Sequence, residues 1–210
     1  MTGRPVIFIL AGVNGAGKSS IGGTALLANG LIWFNPDTFS RELRRKAPDM
    51  NLQEANASAW SEGFRRLRQA IDELENFAFE TTLGGNSITA ELIRAAHTHD
   101  IHIWYAGLAS ADLHIRRVAE RVAAGGHDID SDNIRKRYTS SPANLIKLMP
   151  FLHELQVYDN STDADEQGVV PDPILVLHLR EGKVLFPASD DELHATPDWI
   201  KPIVSAALKL

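Results

Sequence analysis

The sequence contains no cysteine. Disulfides, thiolate metal sites and cysteine nucleophiles are therefore excluded, since each needs a sulfur atom. A chain without disulfides suits a reducing compartment, and a cytoplasmic protein is the expectation. Long hydrophobic runs are also missing. The longest, from Val6 to Val13, falls far short of the roughly 20 apolar residues that cross a bilayer, so no membrane association is expected. It imitates the apolar part of a signal peptide but continues into a glycine loop, which reads as a structural strand. An excess of basic charge is lacking too: 21 Lys and Arg stand against 27 Asp and Glu, a formal net charge of −6. Nucleic-acid binders are usually basic, so nucleic acid is not an expected partner. No internal repeat is present, and the histidines show no metal-ligand spacing.

The negative charge is unevenly placed. From Asp159 to Asp198 the chain carries ten acidic and two basic residues, leaving 19 basic and 17 acidic elsewhere. The acidity belongs to the C-terminal segment, and the remainder is mildly basic, compatible with an anionic ligand. A length of 210 residues, 44% hydrophobic and 23% charged, describes one globular domain with a sizeable core.

Apolar runs alternate with helical stripes. Strands are expected at 6–11, 31–35 (ended by the turn signal "NPD"), 77–80, 101–106 and 155–160. Helices are expected at 18–28, 52–74, 87–97 and 110–123 with Ser110 as cap, then as a pair near 132–139 and 142–155. This alternation implies an α/β fold with a mostly parallel sheet covered on both faces, and ligands beyond the carboxyl ends of the strands. Residues 174–186 read as a hairpin turning at Glu181-Gly182, and residues 161–168 as a loop. The expected organisation is a three-layer α/β domain over 1–161 with a helical lid at about 117–137. Residues 162–210 add a hairpin and helix packed on the same domain.

The first strand runs into Gly12-Val-Asn-Gly-Ala-Gly17-Lys18-Ser19, a full match to G-x-x-x-x-G-K-[ST] between a strand and a helix. Glycines let the backbone turn tightly and aim its N–H groups at a phosphate, and the following helix adds its positive end. Gly12, Asn14, Gly15, Ala16, Gly17, Lys18, Ser19 and Ser20 are thus expected to hold ATP, with Lys18 on the β/γ-phosphates and Ser19 on Mg²⁺.

A P-loop names the donor and not the acceptor. An ABC-type ATPase needs a signature peptide and then an apolar strand ending in Asp-Glu. "TLGGNS" (82–87) resembles the signature only faintly, and "IHIWYAG" has no acidic end. A Ras-like GTPase needs N-K-x-D, which is absent. A small kinase remains, in which a carboxylate prepares an acceptor hydroxyl and an arginine lid closes on the phosphates. Asp37 follows the second strand, where it suits a general base or Mg²⁺ ligand. Asn35-Pro36-Asp37 is equally a good helix start. Glu80 ends an apolar strand, where a buried carboxylate needs a substrate, a metal or a structural hydrogen bond. Thr81 and Thr82 could donate to the same ligand. Arg117 and Arg121 lie one helical turn apart before the Gly125-Gly126-His127 break, and Arg135 and Arg137 follow it. Two glycines supply a hinge, and guanidinium groups clamp a transferring phosphoryl. A switch protein that binds ATP without an acceptor is the rival from another class, and a housekeeping nucleoside or sugar kinase the rival within kinases.

The ordered strings "AGVNGAGKSS", "FNPDTFSREL", "FAFETTLGG", "RRVAERVAAGGHDIDSDNIRKRY" and "YDNS" resemble the zeta-toxin family of P-loop kinases, in its compact bacterial branch often labelled as predicted ABC-type ATPases. The resemblance spans roughly 6–161. It implies a chloramphenicol-phosphotransferase-like fold and ATP/Mg²⁺-dependent phosphorylation of a small-molecule hydroxyl. The best-known acceptor in the family is UDP-N-acetylglucosamine, and an antitoxin protein is the implied partner. By position, Asp37 matches the family's catalytic base, and Glu80 the acidic residue contacting substrate. Lys18 and Ser19 match the phosphate and Mg²⁺ ligands. Arg121, with Arg135 or Arg137, matches the lid arginines. The lid spacing departs from that of the longer toxins.

Overall fold

The structure, a computed structural model, describes residues 3–18, 21–22, 33–126, 128–163 and 171–210. Four apolar segments pair in parallel: β1 (Val6–Ala11), β2 (Phe77–Thr81), β3 (Asp100–Gly107) and β4 (Glu154–Asp159). β5 (Ile174–Arg180) and β6 (Lys183–Phe186) extend the same sheet antiparallel, in the order β2-β1-β3-β4-β5-β6. In β1, Ile7, Ile9, Leu10 and Ala11 are completely buried. Their burial, consecutive rather than alternating at the end of the strand, marks a parallel strand covered on both faces.

The helices are α1 (Pro36–Lys46), α2 (Leu52–Glu73), α3 (Asn86–Ala95), α4 (Ala111–Ala123), α5 (Ser131–Leu148), α6 (Asp190–His194) and α7 (Lys201–Ala207). Their starts are locally encoded. Ser110 accepts from the Leu113 amide, and Asn51 with Glu54 forms a reciprocal capping box. The hairpin between β5 and β6 turns through Glu181 (φ 48°) and Gly182 (φ 73°), the two-residue turn that suits twisted strands. The chain's end packs on the sheet: Ile200, Ile203, Val204 and Ala207 join the main core. The Trp199 ring takes the space that a Cβ on Gly107 would need.

Two expectations are corrected. The pair of helices at 132–139 and 142–155 is one helix, α5, with Pro142 inside it, followed by a short 3₁₀ turn, Met149–Phe151. An interior proline costs about 3 kcal/mol. Ile134, Ser141, Leu145 and Leu148 are all buried along α5, on both sides of the proline, and that packing outweighs the lost bond. The strand expected at 31–35 reduces, among the described residues, to a single parallel bridge between Phe34 and Phe79. It sits on the outer edge of β2, because the Phe34 amide donates to Ala78 and its carbonyl accepts from Glu80. β2, not this segment, therefore flanks the P-loop strand. Of the helix expected at 18–28, Lys18, Ile21 and Gly22 are helical; its remainder, with His127 and most of the 161–168 loop, lies outside the described residues. Among the described residues no helix is long and apolar enough to cross a membrane.

Candidate active site

The parallel register builds the site. Leu10 of β1 lies opposite Glu80 of β2, and Ala11 opposite Thr81, so β2 delivers its carboxylate beside the entrance to the P-loop. On the other side β3 approaches so closely that a Cβ on Gly12 (φ +138°) would lie 2.2 Å from the Ala106 carbonyl oxygen. Gly15 (φ +82°) is as tightly placed, with its missing Cβ 2.6 Å from the His114 carbonyl oxygen. Neither position accepts a side chain, because the obstructing atoms are backbone.

Side chains from three directions hold the loop's carbonyls. Lys18 Nζ donates to the Gly12 oxygen at 2.9 Å, His114 Nδ1 to the Asn14 oxygen at 2.9 Å, and Asn160 Nδ2 to the Ala16 oxygen at 3.0 Å. The Gly12 and Ala16 amides donate to the Thr81 and Val13 carbonyls, and with the loop carbonyls so engaged the remaining loop amides suit an anion, as in a phosphate-binding nest. His114 is held neutral: burial drives its pKa down to about 4, with the Lys18 and Arg117 charges acting in the same direction against the Asn14 bond.

Glu80 is engaged at both oxygens. Oε1 lies 3.5 Å from Lys18 Nζ, and Oε2 accepts from Asn35 Nδ2 at 2.8 Å. Asn35 also caps α1, its Oδ1 accepting from the Thr38 amide at 3.0 Å. The two readings of "NPD" thus coexist: Asn35 caps, and half-buried Asp37 in the next turn lines a cavity of about 210 Å³ together with Lys18, Glu80, Thr81, Thr82 and Arg137. Arg137 donates to Asn14 Oδ1 at 2.7 Å. Burial lowers its pKa from the ordinary guanidinium value, and the Asp37 charge opposes that shift. Ser140 and Asn144 of α5 fasten the Gly84 and Leu83 carbonyls, which fixes the turn after β2.

The other lid arginines are placed differently. Arg117 donates to the Asn160 and Thr162 carbonyls at 2.7 and 2.8 Å, tying α4 to the chain leaving β4. Arg135 pairs with Asp112 at 2.7 Å on the exposed surface. Arg121 packs its stem against Gly126. The structure therefore brings Lys18, Asp37, Glu80, Thr81, Thr82, Asn14 and Arg137 to one cavity, and keeps Arg117 and Arg135 out of its lining. Ser19 and Ser20 lie outside the described residues. Sequence reasoning missed His114 and Asn160. His114 stands one turn before Arg117 and two before Arg121 on the same helix face, and Asn160 closes the "YDN" string, so both had a positional signal.

The cradle fits a polyphosphate, because its glycines hold a tight turn and its engaged carbonyls face away from an anion placed at the loop. Among the described residues no group of three or more His, Cys, Asp or Glu could hold a metal by itself. Mg²⁺ does not need one: it binds through one or two carboxylates plus phosphate oxygens and water, and Asp37 and Glu80 are donors of that kind.

A mostly parallel sheet with the P-loop at the end of an interior strand, and beside it a cavity lined by Asp37, Glu80, Lys18 and Arg137, is the architecture of the P-loop kinases. The chain matches the Zeta toxin family over residues 1–179 and belongs to it. An uncharacterized protein of Haemophilus influenzae is 29% identical over 133 residues, covering 60% of this chain and 88% of its own length. The AvrRxo1-ORF1:ORF2 crystal structure with ATP superposes with a TM-score of 0.67 at 14% identity, covering 93% of this chain and 64% of that one. This chain thus spans less than two thirds of that protein's length. A structure from the PezAT chromosomal toxin–antitoxin system of Streptococcus pneumoniae gives 0.57 at 14% identity, over 75% and 68%. A putative kinase from Chloroflexus aurantiacus gives 0.56 at 16%, over 76% and 90%.

Proposed function

We propose that the protein transfers the γ-phosphoryl group of ATP to an alcohol group of a small molecule. The observation that carries this reading is the facing of Asp37 and Glu80 toward Lys18 and Arg137 across one cavity at the mouth of the P-loop. The AvrRxo1 relative with ATP supports ATP as donor. In the transfer, the acceptor oxygen gives its proton to Asp37 and bonds to the γ-phosphorus. The bond from that phosphorus to the bridging oxygen breaks, ADP departs, and the proton passes to solvent. Lys18, Arg137 and the loop amides offset the charge on the transferring group, where a loose transition state needs positioning more than covalent help. Glu80 orients the acceptor, and Thr81 and Thr82 donate to it. Mg²⁺, when bound, would supply charge neutralisation and orientation of the phosphates, with Ser19 as its proposed ligand. Arg121 is the proposed lid arginine, closing on the phosphates with Arg137.

A UDP-activated amino sugar such as UDP-N-acetylglucosamine is the specific acceptor that the family resemblance brings forward. An antitoxin is the matching protein partner, in line with the PezAT toxin–antitoxin system among the structural relatives. The test is incubation with labelled ATP, Mg²⁺ and a metabolite extract, followed by mass spectrometry. A phosphorylated metabolite that Asp37→Asn no longer forms is expected. ATP binding without any phosphorylated product would leave only a nucleotide-binding protein.

A further inference from the structure

The same cavity has a second wall that the phosphoryl chemistry does not use. Beside the carboxylates, Phe34, Trp60, Phe64, Phe79 and Ile88 also line it. Trp60 and Phe64 lie one turn apart on α2 and stack with ring centroids 5.2 Å apart and planes 10° from parallel. Packing on Phe64 fixes the indole, yet Trp60 remains 51% exposed. It also lines an adjoining cavity of about 330 Å³ with Thr81, Thr82, Asn133, Lys136 and Arg137. An indole held flat at the ridge between two cavities, one of them containing the proposed base, exposes a large apolar face that the fold does not bury.

The cations of the first cavity are turned elsewhere. Lys18 bonds the Gly12 carbonyl and Arg137 the Asn14 amide oxygen. Arg66 lies over the Phe34 ring at 4.9 Å and Arg68 over Phe64 at 6.0 Å, whereas Trp60 is an exposed ring of the wall with no guanidinium over it among the described residues. Gly63 contributes by absence: a Cβ there would meet the Phe34 ring at 2.7 Å, so glycine lets that ring approach α2 and complete the wall.

We propose that Trp60, stacked on Phe64, is the platform for a planar ring of the acceptor, which is therefore a ring-bearing alcohol. The inference rests on the kinase reading only for the word acceptor; ring binding itself is measurable without turnover. Sequence-tolerant stacking of this kind is lost when the aromatic is truncated and kept when another aromatic replaces it.

The experiment has two arms. In the first, uridine, pyridoxine, glycerol and gluconate are titrated into the protein with a non-hydrolysable ATP analogue, followed by tryptophan fluorescence and saturation-transfer NMR. The expected result is binding of ring compounds in preference to glycerol and gluconate, weakened about tenfold or more by Trp60→Ala and within about threefold of wild type in Trp60→Phe. Trp60 is half exposed, so both variants should melt within a few degrees of wild type. If no ring compound binds, or if binding is unchanged in Trp60→Ala, the platform is overturned. In the second arm the acceptor found in the metabolite extract is assayed. Trp60→Ala should raise its KM about tenfold with kcat and the KM for ATP little changed, and Trp60→Phe should restore it. A ringless acceptor, or an unchanged KM, overturns the platform and leaves the kinase standing. Ring binding without any phosphorylated product sinks the kinase and leaves the platform.

Discussion

Lys18 and Glu80 face each other at 3.5 Å across the mouth of the P-loop, both nearly buried. One belongs to the loop that follows β1 and the other to the end of β2, so the proposed nucleotide and acceptor sides of the cavity meet in this pair. Removing either charge leaves the other with poorer compensation in a dry site. Lys18→Met is expected to lower kcat/KM for ATP by about 10²-fold or more, in the range measured for loss of one transition-state charge partner. Glu80→Gln keeps the shape and is expected to reduce turnover about tenfold or more while the melting temperature changes little. Steady-state kinetics beside thermal melts decide it; wild-type turnover in Glu80→Gln would remove Glu80 from the reaction.

Asp37 is the proposed base. Asp37→Asn preserves volume and leaves the Asn35 cap intact. Loss of a general base typically costs about 10²–10⁴-fold in rate, so turnover should fall by that order with ATP affinity within about threefold. Calorimetric ATP binding and product formation are to be measured on the same sample. A parallel loss of both would move Asp37 from base to nucleotide ligand.

Gly12→Ala would drive a Cβ into the Ala106 carbonyl, a backbone atom of a central strand that cannot yield. Destabilisation of about 2 kcal/mol or more is expected, in the range of overpacking at a strained φ. ATP affinity should fall with it. Denaturant titration and nucleotide binding are the measurements, and an alanine variant of wild-type stability would contradict the close approach of β3 to the loop.

Acid should weaken the P-loop support through His114. Its folded pKa is lowered to about 4 by burial, against an ordinary value of 6.5. The unfolded chain therefore takes up the proton first. The stabilisation is complete above about pH 6.5 and is lost as pH falls from there towards 4, by an amount on the order of 3 kcal/mol. His102, lowered chiefly by burial and then by His153, acts in the same direction. Urea unfolding between pH 4.5 and 7.5 should show a shallower slope in His114→Asn than in wild type. Equal slopes would assign the acid sensitivity to other groups.

Much of this was legible from local pattern. The glycine spacing before Lys18, the Ser110 cap and the Glu181-Gly182 turn each depend on backbone conformations that only a few residue types adopt, and all three appear where the spacing put them. Pro142 misled for the same reason. Its local preference is to break a helix, and only the buried partners of Ile134, Leu145 and Leu148, far away in sequence, reverse that preference.

The cavity is a different matter. Arg117 and Arg137 look alike in sequence, yet one binds carbonyls beyond β4 and the other reaches Asn14. Phe64 reads simply as part of a helical stripe, and no pattern in the sequence singles out Trp60. The order of strands also lay beyond the sequence, so β2, rather than the segment before α1, turned out to flank the P-loop.

By itself the sequence determined that a phosphate-binding loop lies between a buried strand and a helix, because glycine, lysine and capping residues act within a few positions of one another. Only the tertiary structure decided which carboxylates and which arginine share that loop's cavity and which aromatic rings wall it. Those choices follow from strand register and helix docking, where contacts between residues 50 to 120 positions apart outweigh anything a neighbouring residue prefers.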